Sequence, residues 1–125
     1  MPIIETAPSV QPETIASTRP WGGFTQYSLN APTTVKIIEV NAGGVLSLQK
    51  HVHRAELWVI LDETLEVELD GKRWRPKRHE EVWIAAGAVH RLSAPGEQSG
   101  RVLEVAFGHF NEADIERLED VYRRA

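Results

Sequence analysis

The chain has no cysteine and a single methionine among its 125 residues. No disulfide can staple it, and no thiolate can serve as nucleophile or metal ligand. Any metal ion must be held by imidazole, carboxylate or amide oxygen. Positive charge is not in excess either: 14 Lys and Arg against 18 Asp and Glu give a formal net charge of −4. Nucleic acid is therefore not an expected partner, because a phosphate backbone calls for a basic face. Long apolar runs are absent, and the opening MPIIETAPSVQPETIAS lacks the basic-then-apolar order of a secretory signal or membrane anchor. The expectation is a cytoplasmic protein with no membrane partner. Internal repeats and low-complexity stretches are also lacking.

What is present fits one domain with one hydrophobic core. Residues 1–18 carry Pro2, Pro8 and Pro12 among Ser, Thr and Glu, and read as an extended arm before a single domain over 19–125. From Phe24 onward, short β-rich runs alternate with turn signals at Asn30–Pro32, Asn41–Gly44, Asp62–Glu63, Asp70–Gly71, Ala86–Gly87 and Pro95–Gly100. This spacing predicts an all-β sandwich or barrel. The clearest hairpin is TLEVELDGKRWRP. Leu65, Val67 and Leu69 alternate with Glu66 and Glu68, and Asp70–Gly71 supplies the positive φ angles of a type I′ turn. Trp74 then returns to the buried face. One helix is predicted, over NEADIERLEDVYRRA. Asn111 is its N-cap, Arg123 and Arg124 lie in its last turn, and Ile115, Leu118, Val121 and Tyr122 form its apolar stripe.

The chemistry is concentrated in GGVLSLQKHVHRAELWVILDE. Gln49, His51 and His53 have period-2 spacing and share one face of a strand. Glu56 follows a bend at Arg54–Ala55, and His90 comes from AAGAVHRL, far along the chain. Two local ligand sets are possible: His51, His53 and Glu56, or Gln49, His51 and Glu56. The second is preferred, because the five residues from His51 to Glu56 leave room to turn between strands, and three barely do. With His90, the set is Gln49, His51, Glu56 and His90. Nitrogen and oxygen donors with one negative charge suit Zn first, then Mn, Fe(II), Co or Ni, over Ca or Mg.

Other residues carry further expectations. His53 and Arg91 are candidates for direct participation in catalysis. His53 would be an acid–base group, since an imidazole titrates in the working range. Arg54 and Arg91 each follow a metal-side histidine, and a guanidinium is shaped for bidentate phosphate contact. Arg19 is a candidate anion contact at the barrel mouth. Lys36 shares an apolar face with Ile38 and Val40 and is expected to reach the cavity. Trp58 has the parity of Glu56 and Ile60 and lines the barrel, as core or as a sugar platform.

The two metal segments resemble the paired motifs of the cupin superfamily, with Gln49 at the usual first histidine and Gly87 and His90 in the second motif. More specifically, RPWGGF (Arg19–Phe24), LSLQKHVHRAELWVI (Leu46–Ile60), AGAVHRL (Ala86–Leu92) and EADIERLEDVYRR (Glu112–Arg124) are similar to the type II mannose-6-phosphate isomerase family. That family is the cupin domain often fused behind a GDP-mannose pyrophosphorylase domain. The chain departs from its pattern at Glu63 for Gly, Ala85 for Pro, Ala94 for Asn and Ala106 for Gln. The resemblance implies a double-stranded β-helix (a jelly-roll barrel), a divalent metal on Gln49, His51, Glu56 and His90, and aldose–ketose isomerisation of a phosphosugar, mannose 6-phosphate to fructose 6-phosphate. It also implies a homodimer. The alternatives are a non-catalytic sugar or sugar-nucleotide binding module, favoured by Ala106, and a different metal-cupin chemistry such as an Fe(II) dioxygenase.

Overall fold

A computed structural model describes residues 7–123 and shows eleven strands and no helix among them. No described helix is long and apolar enough to cross a membrane. The strands are β1 (Ile15–Arg19), β2 (Gly22–Gln26), β3 (Thr33–Val40), β4 (Leu48–Lys50), β5 (Arg54–Ile60), β6 (Glu66–Leu69), β7 (Lys72–Trp74), β8 (Glu81–Ile84), β9 (His90–Ser93), β10 (Gly100–Gly108) and β11 (Glu116–Glu119). Two antiparallel sheets face each other, one ordered β3-β10-β5-β8 and the other β11-β4-β9-β6-β7, while β1 and β2 form a separate hairpin. The hairpin takes in residues 15–18 of the expected arm. The first six residues of that arm lie outside the described residues.

Side-chain alternation explains why these strands close on one another. Val67, Leu92, Ile84, Trp58, Ile60 and Val102 point inward from both sheets and form one core with Val40 and Leu65. Burying each aliphatic side chain of this kind contributes about 1.5–3 kcal/mol. The five-stranded sheet turns charged residues outward: Glu66 and Glu68 alternate with the buried Val67, and Arg73 pairs with Glu68. The four-stranded sheet is apolar outside as well, where Leu57, Val59, Val105 and Phe107 pack with Tyr27, Trp83 and Leu103. Consequently β5 is buried along its whole length.

The Asp70–Gly71 hairpin forms as expected, with φ of 47° and 85° at the two turn residues and Trp74 opposite Val67. Another glycine position is set by packing instead. A Cβ on Gly100 would strike Thr64 Oγ1 and the Leu65 side chain. Gly100→Ala should therefore cost about 1–3 kcal/mol by overpacking, seen as a lowered thermal midpoint. A variant as stable as the parent would show that Leu65 can yield.

The C-terminal helix is not there. Residues Glu116–Glu119 instead pair antiparallel with β4, Glu116 opposite Lys50 and Arg117 opposite Gln49, with a bulge between Arg117 and Glu119. Leu118 sits at that bulge and is 48% exposed, and Val121 and Tyr122 are exposed too, so the helical stripe never becomes a buried face. Asn111 does cap, but only a turn: its side-chain oxygen accepts from Ala113 N (2.9 Å) and its carbonyl accepts from Asp114 N (2.9 Å). The open edge of β4 offered ladder hydrogen bonds to this segment, and strand pairing overrode local propensity. Arg124 of the expected last turn lies outside the described residues.

Candidate metal centre

The strand register stacks the inward side chains of the four-stranded sheet in rows. Glu56 faces Ala106 across β5 and β10, the next row holds Trp58, Glu104 and Lys36, and the third holds Ile60, Val102 and Ile38. From the opposite sheet, Gln49 lies directly across from His90. His51, just past β4, completes the group. His90 is delivered by the turn Ala85–Ala88, closed by a hydrogen bond from Ala88 N to Ala85 O (3.0 Å). Gly87 takes a φ of 85° there and donates its N–H to His51 O (2.7 Å), which ties the two histidine-bearing segments together.

His51, Glu56 and His90 offer ligand atoms that all lie within 4.8 Å of one another, and each residue is at most 2% exposed. His51 Nε2 is 3.5 Å from Glu56 Oε2, and His90 Nε2 is 3.4 Å from Glu56 Oε1. Donors about 2.0–2.1 Å from a tetrahedral ion stand about 3.3 Å apart, so these separations suit a shared ion.

Protonation is set by the backbone. His51 Nδ1 lies 2.7 Å from Asp114 O and His90 Nδ1 lies 3.0 Å from Ala88 O. A carbonyl only accepts, so each Nδ1 carries a proton, and Nε2 is the nitrogen that presents a lone pair to the centre in the neutral ring. Two lone pairs and a carboxylate thus converge in a buried space. Glu56 Oε1 and His90 Nε2 have no hydrogen-bond partner there. Arg54 meets Glu56 Oε2 and His51 Nε2, but leaving the other two atoms buried and unpaired is costly, and the donor set fits a borderline divalent ion.

Gln49 fits as a fourth donor. Its Oε1 accepts from Ser47 Oγ at 2.6 Å and its Nε2 lies 3.4 Å from His51 Nε2. Half a turn of the amide brings Oε1 to the centre and lets Nε2 donate to Ser47, since a hydroxyl both gives and accepts.

The surrounding charges are uneven. Arg54 is buried inside the site, with Nε donating to Glu56 Oε2 (3.0 Å), Nη1 to Asn111 O (3.1 Å) and Nη2 3.3 Å from His51 Nε2. Burial pushes the Glu56 carboxyl up, but the hydrogen bond from His90 and the charges of His90, His51 and Arg54 outweigh it and bring it to about 2, the two histidines adding charge only when protonated. Burial keeps His51 below its ordinary value despite the pull of Glu56, so it stays neutral, as a ligand must. Glu104, one row from Glu56, is pushed up to about 7 by burial and then by repulsion from Glu56, with Trp58 and Lys36 pulling the other way.

The remaining expected residues separate into groups. Lys36 points into the mouth, 3.6 Å from Glu104 Oε2 and 3.5 Å from Glu112 Oε1. Trp58 is 1% exposed, donates its indole N–H to Glu104 Oε1 (3.2 Å) and meets His90 edge-on at 5.6 Å. His53 is exposed, with its backbone N–H bound to Asp114 Oδ2. Arg91 has the opposite parity to His90 and runs along the outer face, donating to Leu46 O and to Glu119. Arg19 is exposed at the end of β1, its guanidinium 5.3 Å over the Phe24 ring. Three residues escaped the sequence reading: Ser47, Glu104 and Asp114. Glu104 looks like the wet position of an alternating strand, between Leu103 and Val105, and only burial of both faces of β10 reveals it.

Comparison with known proteins bears on the family and the fold. The sequence model of the family described as Mannose-6-phosphate isomerase C-terminal matches residues 10–120. The chain belongs to this family. Its relatives include the alginate biosynthesis protein AlgA of Pseudomonas aeruginosa, 41% identical over 107 residues, which are 85% of this chain and 22% of AlgA. A mannose-1-phosphate guanylyltransferase of Klebsiella pneumoniae is 39% identical over 107 residues, 85% of this chain and 23% of that protein. The chain thus spans under a quarter of the length of these relatives. Among solved structures, a cupin 2 domain-containing protein from Halorhodospira halophila superposes with a TM-score of 0.58 at 24% identity, covering 84% of this chain and 66% of that one. That likeness shows the fold: the two facing sheets are a cupin jelly roll. The similarity noted in the RPWGGF, LSLQKHVHRAELWVI, AGAVHRL and EADIERLEDVYRR segments is therefore borne out as membership of the mannose-6-phosphate isomerase C-terminal family.

Proposed function

We propose that this member of the family is a metal-dependent isomerase domain that interconverts mannose 6-phosphate and fructose 6-phosphate. The observation that carries the reading is the buried convergence of His51 Nε2, His90 Nε2 and the Glu56 carboxylate, with both imidazole tautomers fixed by backbone carbonyls. His51, Glu56, His90 and Gln49 would hold the ion, with Zn the first expectation and Mn, Fe, Co or Ni the others. A bound ion supplies Lewis acidity toward the sugar's carbonyl and hydroxyl oxygens.

The chain's own residues supply the rest. Moving a proton between C1 and C2 needs a group that can accept it and return it from one face of the sugar. Glu104 suits this better than His53: its Oε2 is buried without a hydrogen-bond partner and opens on the same interior as Glu56, while His53 is exposed. The Trp58 indole holds Oε1, which leaves Oε2 to work. Lys36, over a third exposed, is the cation at the mouth and the proposed phosphate contact. Arg54 shares the Phe110 ring with it, at 4.4 Å against 4.8 Å, but is buried and engaged by Glu56, Asn111 and His51, so its proposed part is to hold those groups. Arg91 is committed to Glu119 and Leu46 on the outside and is not part of this proposal.

A second reading has one observation in its favour. Ala106 places a methyl group directly across from Glu56, where the type II pattern has a Gln. A sugar-binding module without turnover would tolerate that. The deciding experiment is fructose 6-phosphate formation from mannose 6-phosphate by the metal-free protein reloaded separately with Zn, Mn, Co, Ni and Fe(II). Metal-dependent turnover is expected. Stoichiometric metal with no turnover under any ion would leave the binding module as the better description.

A further inference from the structure

The two histidines of the centre obtain their tautomers from different places. His90 is set by its own turn, two residues away at Ala88 O. His51 is set from the C-terminal segment, by Asp114 O. Asp114 does more than offer a carbonyl. Its Oδ1 accepts from Val52 N and its Oδ2 from His53 N, both at 2.9 Å, so the two amides after the ligand are clamped by the residue that receives the ligand's own N–H. Three bonds from one residue fix both the position of the chain at 51–53 and the rotation of the imidazole about it.

Asp114 is itself held from two sides. The Asn111 turn precedes it, with Asp114 N donating to Asn111 O, and β11 pairs with β4 immediately after it, Glu116 opposite Lys50. The clamp therefore transmits the docking of the C-terminal segment to the His51 ring, and no corresponding bond from Asp114 reaches His90, whose Nδ1 is held by Ala88 O.

We propose that Asp114 is a positioning residue of the metal centre, through which the C-terminal segment sets the tautomer and aim of His51. This inference rests on the reading of His51, Glu56 and His90 as metal ligands. Groups that orient a ligating histidine typically change metal affinity about 10–100-fold when removed. The backbone carbonyl survives any substitution at 114, so the effect works through the lost carboxylate clamp that keeps the carbonyl and the ring in register.

The test uses the full chain and Zn(II), with affinity measured by chelator competition and the imidazole Nδ1 protons followed by NMR. Asp114→Ala should weaken Zn binding about 10–100-fold. The His51 Nδ1 proton should broaden or exchange rapidly, and that of His90 should stay as in the parent. Asp114→Asn keeps one acceptor, so it should show a smaller loss in the same direction, and it carries the test if the alanine variant does not fold. Zn affinity equal to the parent's in a folded variant would overturn the proposal. So would equal loosening of His51 and His90, which marks a general loss of stability. A parent protein that binds no Zn, Mn, Co, Ni or Fe(II) would overturn the metal reading instead.

Discussion

His51→Ala and His90→Ala are each expected to bind no stoichiometric divalent ion, whereas His53→Ala binds like the parent. Each of the first two changes removes an Nε2 lone pair from a group of donors within 4.8 Å of one another. The donors left behind are one imidazole, one carboxylate and a neutral amide, which is a poor set for a borderline ion. Glu56→Gln should be as severe, because it removes the only negative charge among the four donors. Gln49→Ala should weaken binding without abolishing it. His53 differs because its ring is exposed, and the bond it makes to Asp114 comes from its backbone N–H, which alanine keeps. Metal content by elemental analysis after gel filtration reads all five variants. Thermal unfolding gives a second view: an ion at about 100 times its Kd stabilises the fold by about 2.7 kcal/mol. In a domain of this size that raises the midpoint by roughly 10 °C. The parent should show that rise and the two histidine-ligand variants should not. Loss of metal in His53→Ala with retention in Gln49→Ala would mean that the ligand register runs through His51 and His53.

Glu104→Gln should cut isomerase turnover about 100- to 10,000-fold, the usual contribution of a positioned acid–base group, while metal content stays at the parent's level. The substitution keeps the size of the side chain, and an amide oxygen still accepts the Trp58 indole N–H now held by Oε1 at 3.2 Å. What is lost is the ability of the second oxygen to take and return a proton. Metal binding should survive, since Glu104 lies one row from Glu56 and supplies none of the convergent donors. Steady-state kinetics on the fully loaded variant, with metal content measured on the same sample, separates the two effects. A Glu104→Gln enzyme within threefold of the parent would remove Glu104 from the mechanism and return His53 to consideration.

Much of this arrangement can be read along the chain. Alternation in TLEVEL, the Asp70–Gly71 turn and the return of Trp74 follow from rules that act within a few residues, and the hairpin forms as they require. The inward parity of Glu56, Trp58 and Ile60, and of Lys36 and Ile38, is equally local, because successive side chains of a strand must point to opposite faces. The C-terminal segment shows where such reasoning stops. Ile115, Leu118, Val121 and Tyr122 have helical spacing, yet the segment became β11 because β4 presented an unpaired edge. No pattern within the segment reports that edge. Glu104 was hidden for a related reason: a carboxylate between two apolar residues reads as a solvent-facing position until β3 and β5 are laid on either side of it.

By itself the sequence determined a largely β chain without thiolate chemistry, with candidate nitrogen and oxygen donors at Gln49, His51, Glu56 and His90, the first two on one face by their two-residue spacing. Those properties depend on composition and on the two-residue period of a strand. Only the tertiary structure decided that the three ionisable donors meet in one buried space, that Glu104 opens on the same interior, and which nitrogen of each histidine faces it. Proton placement on His51 depends on a carbonyl at Asp114, and that carbonyl is in reach only because the C-terminal segment folded back as a strand. Parity says which side of its own strand a side chain takes. It does not say which distant backbone will be waiting there.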